Sequence, residues 1–280
     1  MKTILLETAA PFDGTGIMRY LAGHAVPGVE SGDESSYRRR VRLSDGSITD
    51  VEVRLAGPTA VTVGTGDAPP PAELLPRIRH LFDLDADSPA IDAHLAADPA
   101  LAASVAAHPG IRLPGSLDAD EQLLRTMVGQ QISIAAANTV LARLSRELSG
   151  GSGLFPTAAQ FAEHGLAVLR GPASRVAAIH GAALALDSGS LVIDPALSID
   201  ELHRRLMTLP GVGVWTAGYV AMRALGAPDV LLASDLVLLK GAAKLGLPST
   251  SRGIAEYGKR WAPYRSYAGL HLWRAAQSQE

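Results

Sequence analysis

The chain has 280 residues, 47% of them hydrophobic and 19% charged, enough to bury a sizeable core in one large domain or about two to three small ones. It contains no cysteine, which excludes disulfides, thiolate catalysis and Cys-ligated zinc or iron–sulfur centres. The net charge of −3 is uneven: Lys/Arg against Asp/Glu run 9 to 15 in residues 1–100, 6 to 8 in 101–200 and 10 to 5 in 201–280.

A basic C-terminal third on an acidic body suits a local phosphate-binding face, with scattered surface charge as the plain alternative. The opening MKTILLETAAPF meets Glu7 before an apolar stretch of signal-peptide length. No later run reaches the ~18 apolar residues of a membrane span. A cytoplasmic protein without a membrane partner is therefore expected.

Residues 16–25, GIMRYLAGHA, have helical spacing. YRRRVRLSDGSITDVEVRL follows, an Asp-Gly turn between β-branched, charge-alternating arms, which predicts a hairpin; VTVGTG adds a short strand. The proline run APPPAELLP ends this unit, and ELLPRIRHLFDL beyond it predicts an amphipathic helix. From Leu113 onward the texture is helical, with Gly and Pro at every junction, predicting about eight short helices and no parallel sheet. The expected fold is mainly α with an N-terminal α+β lobe carrying a small antiparallel sheet. The expected division is 1–112 and 113–280.

The most specific segment is LMTLPGVGVWTAGYVAMRAL, residues 206–225. A helix ends at Leu209-Pro210, Gly211-Val212-Gly213 turns, and a second helix starts at Val214. Two glycines around one apolar residue let backbone N–H groups face outward at a helix N-terminus, a surface that holds a DNA phosphate without reading sequence. An ordinary helical hairpin with a glycine turn is the bland reading. Asp235 lies 22 residues beyond Gly213, in DVLLASDLVLLKGAAKLG, at the start of another helix. Alone it reads as an N-cap; one carboxylate oxygen can cap while the other faces a substrate.

Hairpin, spacing and aspartate together resemble the helix-hairpin-helix DNA glycosylase superfamily. IRLPGSLDADEQLLRTMVGQQIS (111–133), VWTAGYVAMRAL and RWAPYRSYAGLHLWRAA (260–276) narrow the resemblance to the 3-methyladenine DNA glycosylase II family, and APFDGTGIMRYLAGHAVPGVE resembles that family's opening. The resemblance implies a helix-hairpin-helix glycosylase fold, with the site in a cleft among the helices. It implies Asp235 as the catalytic carboxylate, and Trp215, Tyr219, Trp273 and Tyr20 as the base pocket, although an aromatic on a helix serves a core as readily as a cage. It implies Gly211, Gly213 and Thr216 at the DNA face. Gln131 falls where relatives carry a leucine wedge, and either fills the gap left by a flipped base or simply faces solvent.

The implied function is release of alkylated purines from double-stranded DNA by a monomer of bacterial, nucleoid-associated type. No cofactor is expected, although the carbonyls of Met207, Leu209 and Val212 could hold a monovalent cation, Na+ or K+. The eight histidines show no zinc-type pairing. Trp215 stands where bifunctional relatives have a Schiff-base lysine, so no strand cleavage is expected. Two other readings stay open: a non-catalytic hairpin DNA-binding protein, and an 8-oxoguanine-type glycosylase.

Overall fold

The computed structural model describes residues 2–277. The N-terminal lobe is one antiparallel sheet with helices on a single face. Its strands are β1 (Thr3–Glu7), β2 (Glu30–Gly32), β3 (Ser36–Arg42), β4 (Ile48–Leu55) and β5 (Ala60–Gly64), in the order β1-β5-β4-β3-β2. The Asp-Gly turn joins β3 to β4 as expected, with Gly46 at φ +83° and Arg42 opposite Ile48. Strand alternation sends Tyr37, Val41, Val51, Val53, Val61 and Val63 inward. They meet Ile17, Met18 and Leu21 of α1 (Gly14–Gly23), and Leu74 and Ile78 of α2 (Leu74–Leu81). Arg38 and Arg40 point the other way and pair across the sheet with Glu52 and Asp50.

Two helices that the sequence reading does not single out follow: α3 (Ser88–Ala96) and α4 (Pro99–Ala107), each opened by an aspartate cap and a proline in the first turn. Their segments, SPAIDAHLA and PALAASVAA, carry small apolar residues all round and so show no amphipathic stripe. They do not join the sheet. Ile91, Leu95, Leu101 and Val105 share a core with the C-terminal helices. The expected division at 112/113 thus falls just after two helices whose packing belongs with the far end of the chain.

Nine α-helices follow among the described residues, against about eight expected: α5 (Ala119–Gly129), α6 (Ile134–Leu148), α7 (Ala158–Val168), α8 (Ala173–Asp187), α9 (Ile199–Leu206), α10 (Val214–Leu225), α11 (Leu236–Lys244), α12 (Ser251–Tyr257) and α13 (Arg265–Gln277). Most carry Ser, Thr or Asp at the N-cap. Helix α10 is the seam. Ala217, Val220, Ala221 and Ala224 enter the core built by α5 to α9, while Met222 enters the core shared by α3, α4, α11 and α13. None of the helices among the described residues is long and apolar enough to cross a membrane.

Candidate active site

The turn between α9 and α10 is closed by its own backbone: Leu209 N donates to Leu206 O at 3.0 Å and Val212 N to Leu209 O at 3.2 Å. Gly211 adopts φ +77°, and a Cβ there would meet Ala178 of α8 at 3.0 Å, so both conformation and packing demand glycine. Gly213 differs. It caps α10 in an extended conformation with open space around it, and no side chain shields the first N–H groups of the helix. Gln130 ties the α5–α6 loop to this turn, donating to Gly211 O at 3.0 Å and to Thr216 Oγ1 at 2.9 Å. The Thr216 side chain, expected at the DNA face, is therefore buried and engaged by Gln130, and only its backbone belongs to the open end of α10. Gln131 stands exposed at φ +61° on the tip of the adjoining loop.

Trp215, Tyr219 and Arg223 are spaced i, i+4, i+8, so one face of α10 presents indole, phenol and guanidinium in succession from the turn inward. Trp215 and Tyr219 stack at 5.2 Å with planes 7° apart. Trp273 of α13 meets Tyr219 edge-on at 6.4 Å, and the Tyr20 hydroxyl lies 2.8 Å from that of Tyr219. The four aromatic residues expected to form a pocket are thus brought together, half-buried, from α1, α10 and α13.

Asp235 completes the group. It caps α11, with Oδ1 accepting from Leu238 N at 2.8 Å and from Trp273 Nε1 at 3.1 Å, while Oδ2 accepts from Trp215 Nε1 at 2.9 Å. Trp273 can reach it because α11 and α13 touch backbone to backbone: a Cβ on Gly241 would sit 1.8 Å from Leu272 O. Cap and site residue are one carboxylate, held half-exposed between two indoles. At the mouth, Val214 and Leu236, the first residues of α10 and α11, are 67% and 81% exposed.

Two neighbours escaped the sequence reading. Arg223 donates through Nη1 to the hydroxyl oxygens of Tyr20 (2.7 Å) and Tyr219 (2.8 Å). His24 stacks on Tyr20 at 4.0 Å, its pKa pushed down to about 4 by burial and by the Arg223 charge. The i+8 spacing was the available signal for Arg223. No lysine lies at the turn; Lys240 and Lys244 are exposed along α11. Among the described residues no group of three or more His, Asp or Glu could hold a metal. Of the three carbonyls expected to hold a monovalent cation, those of Met207, Leu209 and Val212, that of Leu209 already accepts a hydrogen bond from Val212 N.

The model of the AlkA N-terminal domain matches residues 3–118. A Mycobacterium tuberculosis protein described as a probable bifunctional transcriptional activator/DNA repair enzyme AlkA is 38% identical over 97% of this chain; the chain spans 56% of that relative's length. Escherichia coli DNA-3-methyladenine glycosylase 2 is 32% identical over 96% of this chain and 95% of its own. Among solved structures, the 3-methyladenine DNA glycosylase of Archaeoglobus fulgidus superposes with a TM-score of 0.82, 18% identity and 98% of both chains covered, a likeness of fold. A Schizosaccharomyces pombe 3-methyladenine DNA glycosylase in complex with abasic DNA gives a TM-score of 0.61 at 26% identity, over 68% of this chain and 100% of that one. With the fold, the hairpin and the full-length likeness in agreement, the chain belongs to the AlkA family of DNA-3-methyladenine glycosylases.

Proposed function

We propose that the protein is a monofunctional DNA glycosylase that hydrolyses the N-glycosidic bond of alkylated purines in duplex DNA. The observation that carries this reading is the Asp235 carboxylate, held by the indoles of Trp215 and Trp273 at the edge of an aromatic cage. The open N-terminus of α10 at Gly213 receives a backbone phosphate. Gln131 enters the duplex where the base leaves, and the extruded base lies against Trp215, Tyr219 and Trp273. Alkylation at N3 or N7 makes the base cationic and weakens its bond to the sugar, so departure needs little acid assistance. Positive charge then develops on the sugar, where Asp235 stabilises it and orients water. One chain supplies every side chain of this site, which supports action as a monomer. A monovalent cation on the hairpin carbonyls would brace the phosphate contact without entering the chemistry.

The decisive experiment compares base release from methylated duplex DNA by the wild type and Asp235→Asn. The substitution keeps the cap acceptor and removes the charge, so folding and duplex binding should persist while release falls about a thousandfold. Full activity in the variant would remove Asp235 from the mechanism, and a wild type that binds DNA but releases no base would be a binding protein only. Borohydride added during turnover should trap no protein–DNA adduct, because Trp215 offers no amine at the turn. Trapping abolished by Lys240→Ala would replace this reading with that of a glycosylase/lyase.

A further inference from the structure

The face of α10 that carries the cage continues inward to a charge. Arg223 is 8% exposed, its guanidinium donating through Nη2 (2.9 Å) and Nε (3.3 Å) to Gly115 O and through Nη1 to the two phenol oxygens. It lies 5.0 Å from the centre of the Tyr20 ring and 5.6 Å from that of Tyr219. Burial works against its charge, but the phenol oxygens outweigh burial and hold its pKa above the ordinary value. Tyr20, Tyr219 and Arg125 act most strongly on its charge, and Glu30 and Glu121, paired with Arg125, line the same small cavity with His24. Asp235 stands at the other end of the stack, beyond Trp215, and eight residues of α10 separate the two ends by about 12 Å. The stacked rings therefore lie between the Asp235 carboxylate at the mouth and the Arg223 guanidinium at the inner end.

We propose that Arg223 is a specificity-determining residue that, acting through Tyr219 and Tyr20, opposes positive charge on the bound base and draws electrons onto the base as it departs. The proposal rests on the glycosylase reading above. When the glycosidic bond breaks, both its electrons pass to the base nitrogen, and C1′ becomes cationic beside Asp235. The oxygen of a water molecule bonds to C1′ and loses a proton to solvent. A cationic base leaves neutral; a neutral base leaves as an anion and takes a proton from water. In both cases the base becomes more negative, so a positive floor raises kcat for both.

Binding separates them. The floor repels a cationic base in the ground state and is indifferent to a neutral one. In the transition state the first base is still partly positive and the second partly negative. Removing the charge must therefore raise kcat/KM on cationic lesions and lower it on neutral ones.

The test compares Arg223→Gln, Arg223→Lys and wild type on duplexes carrying 7-methylguanine, a cation, or hypoxanthine, a neutral purine. In Arg223→Gln the ratio of kcat/KM for methylguanine over hypoxanthine should rise about tenfold, as expected of a unit charge one ring away from the base. Its KM for methylguanine should fall, and kcat should fall on both substrates. Arg223→Lys should keep the wild-type ratio. An equal loss on both substrates at an unchanged ratio would reduce Arg223 to a support for Gly115 and the phenols, and would overturn the proposal. A wild type that releases neither base would sink the glycosylase reading and this inference with it.

Should Arg223→Gln fail to fold, binding of 7,9-dimethyladeninium and of 9-methyladenine to the wild type, read by tryptophan fluorescence, decides. Near-equal affinities are expected. A preference for the cation of more than about a hundredfold, the full attraction of an unopposed aromatic cage, would overturn the proposal.

Discussion

Two sets of charged groups among the described residues are built on opposite plans. In the first, Glu30 of β2 and Arg39 of β3 meet Glu121 and Arg125 of α5 in a closed ring. Arg125 lies 2.7 Å from Glu30 and 3.0 Å from Glu121, and Arg39 lies 2.8 Å from Glu121 and 3.7 Å from Glu30. Two positive and two negative groups cancel locally, and the ring joins the sheet to the helices. In the second, Asp235 and Arg223 are kept apart by Trp215 and Tyr219, so their fields add across the stacked rings. Compensated charge fixes a structure; separated charge acts on whatever enters between.

Breaking the ring should cost the most stability. Burial works to raise the Glu30 pKa, yet Arg125 and Arg39 together bring it down to about 2. Glu30→Gln leaves two guanidiniums sharing one carboxylate, and should destabilise the fold by about 3 kcal/mol in denaturant titration. Base release per folded molecule should not change. Retained stability with lost activity would mean that the two plans have been assigned the wrong way round.

The separated pair can be weakened without opening the core. Trp215→Phe keeps a ring against Tyr219 but removes the N–H that holds Asp235 Oδ2. Loss of one hydrogen bond to a charged acceptor should slow base release about tenfold, with stability changed by about 1 kcal/mol or less. Stability falling with unaltered release would show that the indole serves packing alone.

The separated set was the more legible in sequence. The glycine turn and the helix-capping aspartate are local signals, while the roles of Asp235, Trp215, Tyr219, Trp273 and Tyr20 were named through the family resemblance that those segments carry. Arg223 could not, because an arginine on an apolar helix reads as a surface residue until its i+8 relation to Trp215 is seen. The ring was hidden for another reason. YRRRVR offers three consecutive arginines, and only strand register decides that Arg39 turns inward while Arg38 and Arg40 face Glu52 and Asp50. Helices α3 and α4 escaped because their apolar residues do not gather on one face and so show no period, and the packing of α4 against distant α13 is a tertiary fact.

Asp83 follows neither plan, and its substitution should have the smallest effect on base release. At φ +50° its Oδ2 accepts from Leu113 N at 2.9 Å and from the Tyr267 hydroxyl at 2.8 Å, linking the end of α2 to α13. Burial dominates over these bonds and pushes its pKa up to about 6. A carboxyl whose folded pKa is raised contributes stability below its unfolded value near 4, and that contribution is lost as pH rises through 6. His24 and His271, pushed down to about 4 by burial, work in the opposite sense, contributing stability above about 6.5 that is lost as pH falls through 4. The two trends overlap, so the whole-protein profile between pH 4 and 6.5 hides both. Asp83→Asn isolates one of them: asparagine tolerates the left-handed backbone, keeps an acceptor and does not titrate. Measured by urea unfolding, the variant should gain on the wild type by about 2 kcal/mol as pH rises from 4 to 7. A difference that stays constant with pH would mean that solvent reaches Asp83 and the burial seen at this joint is not felt by its charge.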